Sequence, residues 1–138
     1  MFVDASAIVA ILTREAEADF LADLLEDAAA PITSPIAVFE AALGLCRKRH
    51  ASVEEAEADI QNFLAIAMVR LVPVTAQEGE TAVKAHARYG RGRGHPAQLN
   101  LGDCFAYAVA RNYRVPLLFK GDDFSKTDIR SATESRPS

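Results

Sequence analysis

A chain of 138 residues, half of them hydrophobic, is long enough for one domain with its own core and needs no disulfide or metal staple to fold. A net charge of −4 excludes a protein that holds nucleic acid by bulk positive charge alone. No apolar run approaches the roughly 18 residues that a membrane-spanning helix requires.

The opening stretch, MFVDASAIVAIL, has no basic leader and carries Asp4, so it does not read as a signal peptide and points to a cytoplasmic protein. Residues 1–4 read as a strand and 6–12 as a short helix. Over 15–28, Phe20, Leu21, Leu24, Leu25 and Ala28 recur at helical spacing, with acids on the other face. Residues 32–34 read as a short strand. Ser34 and Pro35 then start a helix as N-cap and first helical residue, and it runs to about His50. Its last turn holds Arg47, Lys48 and Arg49, which suit a helix C-terminus.

Ser52 and Glu55 form a capping box for a helix carrying Ile60, Phe63, Leu64, Ala67 and Met68 on one face. Residues 69–74 read as a strand ended by Pro73. Thr75 and Glu78 form a second box, and that helix reaches Tyr89 with Gly90 as its stop. GRGRGHPAQL, residues 90–99, reads as a flexible basic loop. A helix with Asp103 in its first turn spans 100–113, and a buried strand spans 115–120. A loop over 121–125 and a last edge strand over 127–129 complete a single domain of residues 1–133, with a polar tail at 134–138. Cys46 and Cys104 sit in apolar helical patterns and read as buried or half-buried thiols.

Short apolar strands alternating with helices predict an α/β fold, a three-layer α/β/α sandwich around a mainly parallel sheet. Ligands of such folds bind beyond the carboxyl ends of the strands. Asp4 ends the first strand, and Asp122 and Asp123 follow the last buried one. Glu40 and Asp103 lie early in helices that leave the same rim. Each acid has a plain structural reading: Asp4 and Asp103 as helix-start residues, Asp122 and Asp123 as a turn, Glu40 as a surface charge. Their convergence is what carries meaning. Clustered carboxylates raise one another's pKa until a cation neutralises them, and oxygen donors suit Mg²⁺, with Mn²⁺ as an alternative. Such an ion can activate water and stabilise charge on a phosphodiester.

The motifs VDAS (3–6), LNLGDCFAYAVA (99–110) and LLFKGDDFSKTDI (117–129), with Glu40 between them, resemble PIN domains of the VapC type. The resemblance covers nearly the whole chain. It implies the toxin of a type II toxin–antitoxin pair, a metal-dependent endoribonuclease that cuts structured RNA such as tRNA or rRNA. It carries Asp4, Glu40 and Asp103 to the metal site. The fourth acid is Asp122 or Asp123, with the position before Phe124 favouring Asp123. Where the family often has a hydroxyl residue this chain has Ala5, and Ser6 keeps a hydroxyl to orient a ligand. The resemblance also implies a VapB-like antitoxin that inserts a basic side chain into the acidic site, and a homodimer. Phe20, Leu24 and Ile36 are candidates for the antitoxin's apolar groove.

Arg91, Arg93 and His95 precede the helix bearing Asp103 and are the candidate RNA-binding residues. From 81 to 102 the chain has no acid, which fits capture of a phosphate backbone. Competing readings are weaker. A phosphotransfer domain using Asp4 as nucleophile would want an acid where Ser6 stands, and a receiver-like regulator would want paired early acids. A non-toxin PIN nuclease and a catalytically silent PIN-like module remain the alternatives, and RNA cleavage separates them.

Overall fold

Three of the four short strands are buried on both faces, and the edge strand Arg70–Leu71 is exposed. In a computed structural model, which describes residues 1–133, β1 is Phe2–Val3, β2 Ile32–Thr33, β3 Arg70–Leu71 and β4 Leu117–Leu118. They form one parallel sheet in the order β3-β2-β1-β4. Successive residues point to opposite faces. Phe2 and Leu117 join one core cluster, and their neighbours Val3 and Leu118 join another. The polar tail expected at 134–138 lies outside the described residues.

The first face is covered by α1 (Ala5–Leu12), α2 (Ala18–Glu26), α3 (Pro35–Arg49) and α4 (Val53–Ile66), which bring Ile8, Leu25, Leu45 and Ile60 against Val3 and Leu118. The second is covered by α5 (Ala76–Tyr89) and α6 (Leu101–Asn112), with Ala85, Tyr89, Tyr107 and Val109 against Phe2 and Leu117. The result is the expected three-layer α/β/α sandwich. Crossovers from β1 to β3 use one face, and the crossover to β4 uses the other. The chain therefore reverses direction across the sheet between β1 and β4, which opens a crevice at their carboxyl ends.

Helix starts follow the sequence closely. Ser34 caps α3 through Ala37 N–H at 3.2 Å, and Ser52, Thr75 and Asn100 each head a capping box. One expectation is corrected. The final edge pairing is not at 127–129 but around Ser131, where Leu117 N–H donates to Arg130 O and Ala132 N–H to Leu117 O. Residues 127–129 serve another purpose: Asp128 accepts from the Tyr107 hydroxyl at 2.5 Å and from Arg111 at 3.1 Å, fastening the segment after β4 to α6. Gly90 ends α5 as expected, in an extended conformation with φ −69. Its value is space, since a Cβ there would collide with His86.

Candidate active site

The carboxyl end of β1 delivers Asp4 directly into the crevice. Asp4 N–H donates to Leu118 O at 3.0 Å, so the residue is held between the two central strands. Its side chain caps α1: Oδ2 accepts from Ser6 N–H at 3.0 Å and from Ser6 Oγ at 2.6 Å. The same Ser6 hydroxyl accepts from Lys120 N–H at 3.0 Å and so ties the end of β4 to Asp4. Asp4 is only 4% exposed. Burial pushes its pKa up, Ser6 hydrogen bonds oppose that, and the charge of Asp123 adds to it.

Glu40 projects from α3 and is half-buried. Burial first, then the charges of Asp4 and Asp103, push its pKa to about 7. Asp103 occupies the third position of α6, where its Oδ2 accepts from Asn100 N–H at 3.1 Å. Burial pushes Asp103 to about 6; the Asn100 amide opposes, Asp4 and Asp123 add, and Arg91 partly relieves it. Three acids from three elements therefore share one cleft of about 280 Å³. Asp123 is exposed but its charge reaches Asp4 and Asp103. Asp122 has a local task, its carbonyl accepting from Ser125 Oγ at 2.7 Å and from Ser125 N–H at 3.2 Å.

Among the described residues, no group of three or more His, Cys, Asp or Glu side chains stands ready-made to hold a metal ion. Like charges without a cation hold apart, and burial makes that repulsion stronger than in water. The donor set itself is hard oxygen, which fits Mg²⁺ or Mn²⁺.

The basic loop beside the site is partly ordered by its own contacts. Arg91 and Arg93 are exposed. His95 is not free in the same way: its Nδ1 accepts from Ala97 N–H at 3.0 Å, and its ring packs edge-on to Tyr89 at 4.8 Å. Of the three, the two arginines are the ones available to a phosphate, and Arg91 lies near enough to influence Asp103.

The PIN domain family model matches residues 1–130. A VapC ribonuclease of Rhizobium meliloti is 40% identical across 93% of this chain and 98% of its own length. The chain belongs to the VapC-type PIN-domain ribonuclease family. Ribonuclease VapC28 of Mycobacterium tuberculosis is 39% identical, across 99% of this chain and all of its own. The crystal structure of M. tuberculosis VapC20, described as a sarcin–ricin loop cleaving toxin, superposes with a TM-score of 0.75 over 99% of this chain and 98% of that one. At 22% identity that likeness concerns the fold.

Within this PIN domain, one part of the site escapes sequence reasoning. Gly102 stands where a Cβ would overlap the Glu40 carboxylate, so glycine there leaves that carboxylate its place against the start of α6. The pairing of a glycine with the next-door Asp103 is the signal that could have found it. The cleft is also lined by Arg47, Lys48, Lys120 and Glu15. Arg47 and Lys48, read from the sequence as helix-end cations, are thus part of the site's wall, while Arg49 pairs with Asp59 at 3.1 Å.

The raised carboxylate pKa values predict how the metal-free protein responds to pH. Glu40 and Asp103 hold protons in the folded state that they release in the unfolded one, so stability falls as pH rises from about 4 to about 7. Thermal unfolding in chelator should show this decline, and Mg²⁺ or Mn²⁺ should flatten it. A pH-independent melting temperature across that window would mean the acids are not coupled as described.

Proposed function

We propose that this VapC-type protein is the toxin of a toxin–antitoxin pair and a Mg²⁺- or Mn²⁺-dependent endoribonuclease acting on structured RNA, tRNA first and rRNA second. The observation that supports this most is the convergence of Asp4, Glu40 and Asp103 at the β1–β4 crevice, with Glu40 pushed to about 7 and Asp103 to about 6 by burial first and by their neighbouring carboxylates second. Asp4, Glu40 and Asp103 would hold the ion, with Asp123 at the edge. A bound ion would supply an activated water and charge stabilisation at the phosphodiester.

The chain's own residues do the rest. Ser6 fixes the rotamer of Asp4 through two hydrogen bonds. Asn100 does the same for Asp103. Gly102 leaves room for Glu40. Arg91 and Arg93 would take backbone phosphates, which position RNA without reading its sequence. The partners implied are a VapB-like antitoxin and a second copy of the chain. For the antitoxin's apolar anchors, a groove of about 450 Å³ between α2 and α4 is bordered by Phe63, Ile66 and Met68, the last two more than 80% exposed. Of the three residues expected to line such a groove, Phe20 is half exposed and Ile36 half-buried, but Leu24 lies in the core and cannot contribute.

The test is incubation of the purified protein with total tRNA and with rRNA, in Mg²⁺ or Mn²⁺ and in chelator. Discrete fragments that appear only with the ion support the reading. RNA left intact under every condition would favour a silent binding module instead.

A further inference from the structure

Beside the acids, the same cleft holds a set of cations that the cleavage chemistry does not use. Lys48 Nζ lies 3.1 Å from Glu15 Oε1, and Lys120 Nζ bonds the same oxygen. Glu17 stands 3.8 Å from Lys120. Arg47 lines the cleft and makes no ion pair among the described residues. Glu15 is the least exposed member, with a side chain 19% accessible against 49% for Lys48 and 36% for Lys120.

The backbone presets this arrangement. After α1, Arg14 adopts φ 57, Arg14 N–H donates to Ile11 O and Glu15 N–H to Ala10 O. That closing turn is a Schellman motif, and it places Glu15 at a defined point over the cleft. Thr13 Oγ1 adds a bond to Glu15 Oε2 at 3.2 Å. Lys120 is placed by its own backbone bond to Ser6, the residue that holds Asp4. Lys48 and Arg47 lie two turns beyond Glu40 on α3, about 11 Å along its axis. That offset suits a phosphate next to the one at the acids.

We propose that Lys48 and Lys120, with Arg47 beside them, form a subsite for an RNA backbone phosphate next to the scissile one, and that Glu15 is the positioning residue that holds both ammonium groups in place until a phosphate displaces it. The proposal rests on the ribonuclease reading above. Ammonium groups bind phosphate as compact point charges and exchange partners readily. A phosphodiester carries the same single charge as Glu15 but has two free oxygens, so each ammonium can take one of its own where Glu15 offers both the same oxygen. The alternative role is a staple joining the turn after α1 to α3 and β4.

The experiment measures binding of a labelled single-stranded oligoribonucleotide, in an Asp103→Asn background to silence cutting, as a function of salt. Lys48→Ala with Lys120→Ala should weaken binding and flatten the salt slope by about 0.7, the value for one single-strand phosphate contact. Lys48→Arg with Lys120→Arg should keep the slope. Glu15→Gln should tighten binding about two- to fivefold, the worth of a partly exposed ion pair. A staple predicts a different pattern: lower melting temperatures for Glu15→Gln and the alanine pair, with RNA affinity and salt slope unchanged. That pattern in a parent protein that cuts RNA would overturn the subsite alone. A parent that cuts no RNA would count against the ribonuclease reading instead.

Discussion

Asp103→Asn should leave a folded protein that cuts RNA, at limiting Mg²⁺, more slowly than the roughly 10–100-fold deficit that follows loss of a ligand's supporting partner. Asn can still accept the Asn100 amide through its side-chain oxygen, so the start of α6 survives. What disappears is one negative charge beside Glu40, whose pKa is raised to about 7 by burial first and by Asp4 and Asp103 second. Asp4→Asn should behave alike, because Asn caps helices as well as Asp does. In chelator, both variants should melt no lower than the parent, since they relieve carboxylate repulsion. Cleavage rates across a Mg²⁺ titration, with melting curves on the same samples, check this. Full activity at limiting ion would remove the residue from the proposed metal set, and a lower melting temperature in chelator would deny the repulsion.

Gly102→Ala should separate folding from activity in the opposite way to an ordinary core mutation. Alanine is favoured over glycine inside a helix by about 1 kcal/mol, so the variant should be as stable as the parent or more so. Its methyl group would nonetheless overlap the Glu40 carboxylate, the movable end of a flexible side chain. Glu40 would swing away, α6 would stay put, and cleavage should fall by about 10–100-fold, as when a ligand loses its support. Gly79→Ala is the control, because a Cβ there meets nothing within 4 Å. It should gain the same helix stability with unchanged cleavage. Equal activity in the two variants would show that the position of Glu40 does not matter to the reaction.

Much of the fold is readable because its determinants are local. Capping residues at Ser34, Ser52, Thr75 and Asn100 mark helix starts to within a residue. Helix ends are harder: His50, Met68 and Arg114 turn left-handed without being glycine, and nothing in their chemistry announces it. The strands shrink from the expected three to six residues to two each, because only two residues of each find ladder partners. In the site, Asp4, Glu40 and Asp103 are legible as acids in apolar settings near strand ends. Lys48, Lys120 and Glu15 are not, since their meeting depends on how the turn after α1 packs over α3 and β4, which are distant in sequence.

The caps on α1 and α6 bear on which ion the protein would prefer. Asp4 and Asp103 each commit one carboxylate oxygen to a helix-start amide, through Ser6 and Asn100. Only the other oxygen of each faces outward without giving up a cap. Two-oxygen coordination would then have to compete with these bonds, most of all at Asp4, whose Oδ2 already accepts twice from Ser6. Ca²⁺ favours six to eight oxygens and often takes carboxylates two-handed, whereas Mg²⁺ accepts single oxygens in a strict octahedron and keeps several waters. Selection between two ions of equal charge would thus be written into the hydrogen bonds that begin two helices, at positions whose first duty is to let the chain fold.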